Sequence, residues 1–412
     1  MKELSNLYFI PLTQKNLDFE YVERKGKGHP DTLSDNLAEE LSRTYSKYTL
    51  SKFGVILHHN FDKIGLLGGK SYVAFGKGYL EKPIRVLLNG RASIAFAGKE
   101  IPVKKILENS CKTFLKEKLP LININKDVKV LFNLNNASSP GRVEEKGHKE
   151  GTRRYWFTPR GLYDLHELEH LNSNDSALGC SYAPLSITEK IVLKIEKTLN
   201  SKSYKRRNKW IGSDIKMIAF RVHNKLDITL CIPQIAKYVP DLGSYINNLE
   251  RSRQDIETII KRMAPHLKFF ININTRDDFD TLELYLTATG SAIESGDEGL
   301  VGRGNRINGL ITPCRPMCIE GVCGKNPVYH TGKIYNLVAK AIAERLYKEL
   351  KKEVEVYLIG QSGKPLKIPW KILIATSGYK ENLNKIRNIV IKELDKIPSL
   401  KIELLNKEYE LW

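Results

Sequence analysis

Gly26-Lys27-Gly28-His29-Pro30-Asp31 brings a histidine, a lysine and a carboxylate together among two glycines and a proline. Pro30 suits the first position of a helix, where its missing N–H does no harm, so His29 is expected just before a helix N-terminus. The free N–H groups and positive dipole end there attract anions, phosphates in particular. Asp31 and Asp35 lie four residues apart, hence on one helix face, and could hold a divalent cation. Taken singly, each residue has a structural explanation, with Asp31 a cap, His29 a loop histidine and Lys27 a solvated side chain. It is the clustering that argues for chemistry.

A second concentration runs Gly296-Asp297-Glu298-Gly299-Leu300-Val301-Gly302-Arg303-Gly304-Asn305-Arg306. It is no dinucleotide-binding fingerprint, because Ile307 occupies the third glycine position and no strand-helix unit with a downstream acid frames it. A plain turn needs fewer glycines; this many suggest backbone brought against a ligand, with Arg303 able to fork onto phosphate. Gly324-Lys325-Asn326-Pro327 is no Walker loop, since Ile319 stands where the first glycine belongs and Asn326 where Ser or Thr belongs. Asn174-Asp175 is unremarkable alone. In Asp214-x-Lys216 both side chains lie on one strand face, which suits a polar ligand wall and equally a surface salt bridge. Cys314, Cys318 and Cys323 lack a fourth ligand at zinc-finger spacing, and free thiols are expected.

These residues need elements to hold them. Leu33, Leu37, Leu41 and Tyr45 recur at four-residue steps and predict an amphipathic helix over 30–50. Strands are predicted at 54–60, 64–75 and 84–88, then a long polar connection from Ser138 through Arg154. A helix over 186–199, strands near 216–223 and 227–233, a helix over 252–263 and strands near 268–273 and 281–288 follow. The glycine-rich stretch 296–309 opens a last unit, with helices over 332–351 and 380–395 around a strand at Val354–Ile359. The 412 residues, 41% hydrophobic and 9% aromatic, can bury a sizeable core and exclude a disordered chain, collagen or coiled coil. The pattern is α+β, with helices on one side of mixed sheets. No apolar run approaches the roughly 20 residues of a membrane span. The opening MKELSNLYFIPLTQ, with Glu3 near its start and Pro11 in its apolar patch, forms no signal-peptide core, so a cytoplasmic protein is expected.

In this order the motifs ERKGKGHPDTLSDNLAEELS, GVILHHNFDK, NDSALGCSYAPLS, GSDIKMIAFRV, TATGSAIESGDEGLVGRGNRINGLITPCRP and GKNPVYHTGKIYN resemble the S-adenosylmethionine synthetases, most closely their archaeal-type branch, over roughly residues 20–365. The resemblance implies three βαββ-type domains around a pseudo-threefold axis, here divided 1–150, 151–282 and 283–412. It also implies methionine adenosyltransferase activity, in which methionine sulfur attacks C5′ of ATP and the released tripolyphosphate is cut to pyrophosphate and phosphate. Carried over by position, His29 resembles the histidine near the leaving O5′ and Asp31 the Mg²⁺ carboxylate. Asp175 matches an ATP contact, and Asp214 with Lys216 the pair bordering nucleotide and polyphosphate. Asp297 matches the acid for the methionine ammonium, and Arg303 and Lys325 phosphate-binding cations. Two Mg²⁺ are implied, with K⁺ for the wider family, and a homodimer with interfacial active sites, or a dimer of dimers as a homotetramer. Where the commoner bacterial pattern has Asp, Lys and Asp after the GK, this chain has Asn326, Tyr329 and Thr331, and Lys70 replaces a usual acid. Asp62 and Lys63 are candidates to fill part of that gap, Lys63 on the substrate.

The formal charge of +19, from 66 Lys and Arg against 47 Asp and Glu, makes nucleic-acid binding the natural rival. The basic residues are dispersed, however, and no zinc finger, RRM or basic heptad accompanies them, so specific nucleic-acid binding is not expected. A catalytically inactive scaffold homologue is the third reading; the presence of His29, Asp31, Asp214, Lys216 and Arg303 together argues against it.

Overall fold

The computed structural model describes residues 5–12, 19–137, 147, 151–407 and 411. Three sheets carry the architecture, each with helices on one face. In the first, Val128–Asn135, Ile84–Ala92, Gly65–Leu67 and Gly299–Leu300 lie side by side, and His59–Asn60 also pairs with Ile84–Ala92. Helices Pro30–Phe53 and Val103–Lys118 cover it, burying Leu33, Leu37, Leu41 and Tyr45 against Ile84, Val86 and Leu88. The second runs Lys268–Ile273, Lys225–Cys231, Lys216–Val222 and Phe19–Lys25, under helices Ile187–Leu199 and Leu242–Met263. The third runs Leu7–Ile10, Lys371–Thr376, Val354–Ile359 and Leu178–Ala183, under Thr331–Leu350, Leu383–Asp395 and Ile397–Leu405. This is an α+β chain. Each sheet also recruits strands from far along the sequence, so a division at 150 and 282 leaves strands of every segment in a neighbour's sheet.

Helix Pro30–Phe53 begins and ends on local signals: His29 caps it, Pro30 is its first residue, and Gly54 closes it at φ 75 with its N–H on the Leu50 carbonyl. Its second face is buried too. Asp35 and Glu39 reach the loops of 299–304 and 324, and the Lys333 ammonium sits between both Glu39 oxygens at 2.8 and 2.7 Å with almost no exposure. The helix is therefore a central beam, with a sheet on one side and ligand-loop candidates on the other.

Several sequence expectations need correction. Helix Leu242–Met263 starts ten residues before the expected 252, capped by Asp241 on the Ser244 N–H. The expected strand 64–75 breaks at Gly68-Gly69 into Gly65–Leu67 and Lys70–Ala74, and of 281–288 Leu286–Thr287 is strand while Glu283 makes an isolated bridge to Asp278. Only His59–Asn60 is strand within 54–60. Helix Val103–Lys118 and the strands Leu7–Ile10, Phe19–Lys25, Leu178–Ala183 and Lys371–Thr376 were not anticipated. Most of the connection expected from Ser138 to Arg154 lies outside the described residues. No helix among the described residues is long and apolar enough to cross a membrane.

Candidate active site

Three loops converge at the start of helix Pro30–Phe53. The Gly26 and Gly28 N–H groups donate to the Ile215 and Ser213 carbonyls at 2.9 and 3.0 Å, tying the His29 loop to the entry of strand Lys216–Val222. Ser291 Oγ donates to the Gly28 carbonyl at 2.6 Å, and the Asp214 N–H donates to the Gly290 carbonyl at 3.1 Å. Gly290 sits at φ 97 and packs its backbone on Gly212, a pairing that a side chain on either would break. Asp214 is fully buried beneath these loops and accepts the Ala292 N–H at 3.0 Å; burial pushes its carboxyl up to about 6 against that bond. Asp297 stands exposed on the same loop, close enough to Asp214 and Tyr285 to push both upward.

The helix N-terminus is less open than expected. His29 Nδ1 accepts the Asp31 N–H at 3.2 Å, so the imidazole itself caps the helix. Asp31 spends one oxygen on the Leu300 N–H at 2.9 Å and the other on Lys25 Nζ at 2.8 Å, while Lys25 also reaches the Arg303 carbonyl at 2.7 Å. Asp35 does not join Asp31 in an open pair: it turns to the Gly302 N–H at 2.8 Å, and burial raises it to about 7. Lys216 and Arg303 flank this group with substantial exposure, Lys216 lying 3.4 Å from Glu23. Burial, opposed by Asp31 and helped by Lys25 and Lys216, lowers His29 to about 4.

A second group lines a cavity of about 690 Å³ that holds Asp62, Lys63, Asp175 and Lys325. Lys325 Nζ pairs with Glu320 and lies 3.8 Å from Asp62, which also meets Lys63 at 2.7 Å. Its backbone is pinned to the helix, since the Lys325 carbonyl accepts from Ser42 Oγ at 3.2 Å and Lys333 Nζ at 2.8 Å. Asp175 is delivered by a turn in which Thr331 donates to the Asn174 side chain and the Asp175 carbonyl, both at 3.0 Å. Four polar side-chain atoms of the cavity's lining residues are buried without a partner among the described residues: His58 Nε2, Asn60 Oδ1, Trp156 Nε1 and His330 Nδ1. Native structures rarely leave such atoms unpaired, so a polar ligand or water is implied. Asp31 and Ser42 mark the two groups on one helix, eleven residues or roughly 16 Å apart along its axis.

The family profile of the S-adenosylmethionine synthetases matches residues 6–146 and 158–408. The chain belongs to the S-adenosylmethionine synthetase family. It is 37% identical to a probable S-adenosylmethionine synthase of Aquifex aeolicus, with 98% of this chain and 99% of that protein aligned. S-adenosylmethionine synthases of Pyrobaculum neutrophilum and Methanothermobacter thermautotrophicus are 36% and 35% identical over 95% and 96% of this chain, and 96% and 97% of theirs. The fold is also that of an S-adenosylmethionine synthetase from Campylobacter jejuni, at TM-score 0.54 and 14% identity, covering 93% of this chain and 94% of that one. The family match thus extends beyond residues 20–365 at both ends.

Within this synthetase chain, the oxygen donors that could serve a hard cation such as Mg²⁺ in the cavity are Asp62 and Glu320, each paired with a lysine, and the unpartnered Asn60 Oδ1 of the same lining. At Asp31, Lys25 must yield an oxygen before a cation could enter. Lys70 is 65% exposed and paired with Glu81 at 2.6 Å. Sequence reasoning overlooked Lys25, Glu320, His58, Asn60, Trp156 and His330. Lys25 and the HHN run stood inside motifs already quoted; Glu320 and Trp156 had no local signal, because only the fold sets them beside Lys325 and His58.

Proposed function

We propose that this chain makes S-adenosylmethionine from ATP and L-methionine, releasing tripolyphosphate and hydrolysing it to pyrophosphate and phosphate. The observation that carries the reading is the hydrogen bond by which His29 caps the helix. Nδ1 accepts the Asp31 N–H, so the ring proton belongs on Nε2, and the low pKa keeps the ring neutral near pH 7. His29 is then a hydrogen-bond donor and not an acid. The reaction needs just that: the thioether sulfur has no proton to lose, its lone pair forms the S–C5′ bond, and the C5′–O5′ electrons leave on an oxygen where charge builds. Nε2–H stabilises that oxygen, and Lys216, Arg303 and Lys325 take the phosphates. Asp297 is assigned to the methionine ammonium, Asp175 and Lys63 to ATP, and the buried Asp214 to holding loop 290–292 in place. Two Mg²⁺ ions would neutralise polyphosphate charge when bound, with Asp31 and Asp62 as carboxylate ligands.

The two groups, separate within one chain, are proposed to complete each other across a homodimer. Lys216 shares the outer face of its strand with Ile218 and Phe220, and that face continues through exposed Phe19 and Phe270. Exposed aromatics clustered on one sheet face, with charged neighbours around them, suit a second subunit, and Lys216 would stand at its rim. The deciding assay supplies purified protein with ATP, methionine and Mg²⁺. S-adenosylmethionine with equimolar pyrophosphate and phosphate is expected; absence of product overturns the reading. Retention on DNA with a steep salt slope, without turnover, would favour the nucleic-acid alternative.

A further inference from the structure

The face of helix His166–His170 that carries His166, Glu169 and His170 lies outside both groups described above. Positions i, i+3 and i+4 project from one side of a helix, and here they carry two imidazoles and a carboxylate. The rings lie parallel, within 6°, at 6.0 Å between centroids. His166 Nδ1 and His170 Nε2 each stand 3.9 Å from the same Glu169 oxygen, and one ligand atom from each of the three residues lies within 4.8 Å of the others. At 3.9 Å these are not hydrogen bonds. They enclose a gap between three ligand atoms, and no lysine or arginine pairs with Glu169 among the described residues.

We propose that His166, Glu169 and His170 form a surface site for a divalent transition ion of the zinc type, separate from the Mg²⁺ chemistry of the reaction. Two imidazoles with one carboxylate are a donor set that zinc takes and magnesium, which prefers oxygen and water, does not. Metal–ligand bonds of about 2.0–2.2 Å place neighbouring ligand atoms of a tetrahedral ion roughly 3.4 Å apart. From 3.9 Å at the two His–Glu pairs and at most 4.8 Å across the group, the three side chains must close by about 0.5 Å to at most about 1.4 Å. All are more than half exposed and can rotate to do so. The turn beneath is firm: Leu165 is buried in the core, and buried Asp164 takes the Arg160 N–H, Nε and Nη2 at 2.9–3.0 Å. Three protein ligands leave the fourth position to water.

The test titrates zinc into metal-free, untagged full-length protein held in excess Mg²⁺, by calorimetry, and repeats it with Co²⁺ for the visible spectrum. One equivalent is expected, lost in His166→Ala/His170→Ala. Glu169→Gln, which keeps shape, should weaken it by at least the roughly 10- to 100-fold that loss of an outer-shell partner costs. Exposed Cys231 is a rival zinc ligand, so an undiminished equivalent in the double variant overturns the proposal, as does a parent protein that binds no zinc.

Discussion

His29 is held neutral by burial, with Lys25 and Lys216 adding to the effect against Asp31. Its pKa of about 4 lies below the ordinary 6.5, so the neutral donor is complete above about pH 5 and is lost only as pH falls through 4. The pH–rate profile should therefore show no His29 limb near 6.5; a limb there that disappears in His29→Asn would make the ring an acid. His29→Asn should lower kcat by about 10²-fold with ATP binding nearly unchanged, because the bond strengthens only as O5′ gains charge. A loss seen only in KM would assign His29 to ground-state binding. Asp297 poses a sharper choice, since its Oδ1 accepts the Glu298 N–H at 2.9 Å and so already organises the turn. A carboxylate facing an ammonium is worth about 1.5–3 kcal/mol, or roughly 10- to 150-fold in affinity. Asp297→Asn keeps the turn and loses the charge, so methionine KM should rise by that factor; a change within about twofold would leave Asp297 a turn residue.

At the scale of elements, helix Pro30–Phe53 carries both halves of the site, and its position rests on the Glu39–Lys333 pair to the third unit's helix. Removing one partner strands a buried charge. Lys333→Ala should cost about 3–5 kcal/mol in urea unfolding, whereas Glu39→Met/Lys333→Met should recover much of that loss. Equal losses in the single and double variants would mean that packing, and not charge, dominates. The Lys325 carbonyl is a ligand of the same ammonium at 2.8 Å, so the double variant should regain stability more fully than turnover. Gly299, whose added Cβ would be driven into the Pro30 carbonyl, shows how closely the glycine-rich loop is seated on this helix.

For the whole molecule, the outer face of the second sheet exposes Phe19, Phe220 and Phe270 at 50%, 42% and 75%. Phe220→Glu/Phe270→Lys should convert a dimer to monomers by sedimentation and abolish turnover, while leaving the circular dichroism spectrum unchanged. Active monomers would remove the need for a second subunit. Partial complementation on mixing His29→Asn with Lys325→Ala protein would place the two groups of one working site on different subunits.

Much of this was written in the sequence because it is local. The helix after His29 was legible from Leu33, Leu37, Leu41 and Tyr45, and Gly54 and Pro30 mark its ends by backbone preference alone. Helix Val103–Lys118 was missed although Val103, Leu107, Cys111 and Leu115 recur at four-residue steps, because it lacks a side-chain cap to announce it. A short strand such as Leu7–Ile10 was not legible, since it gains its identity from a partner hundreds of residues away. The same division runs through the site. Residue types and motif order indicated His29, Asp214, Asp297 and Lys325, but only tertiary structure decided that Asp214 is buried under a loop and that Lys25 occupies Asp31. It also decided that Lys325 stands with Asp62 and Glu320 instead of His29. Hydrogen bonding and burial act through space, and the chain reaches those neighbours only after three interleaved sheets have closed.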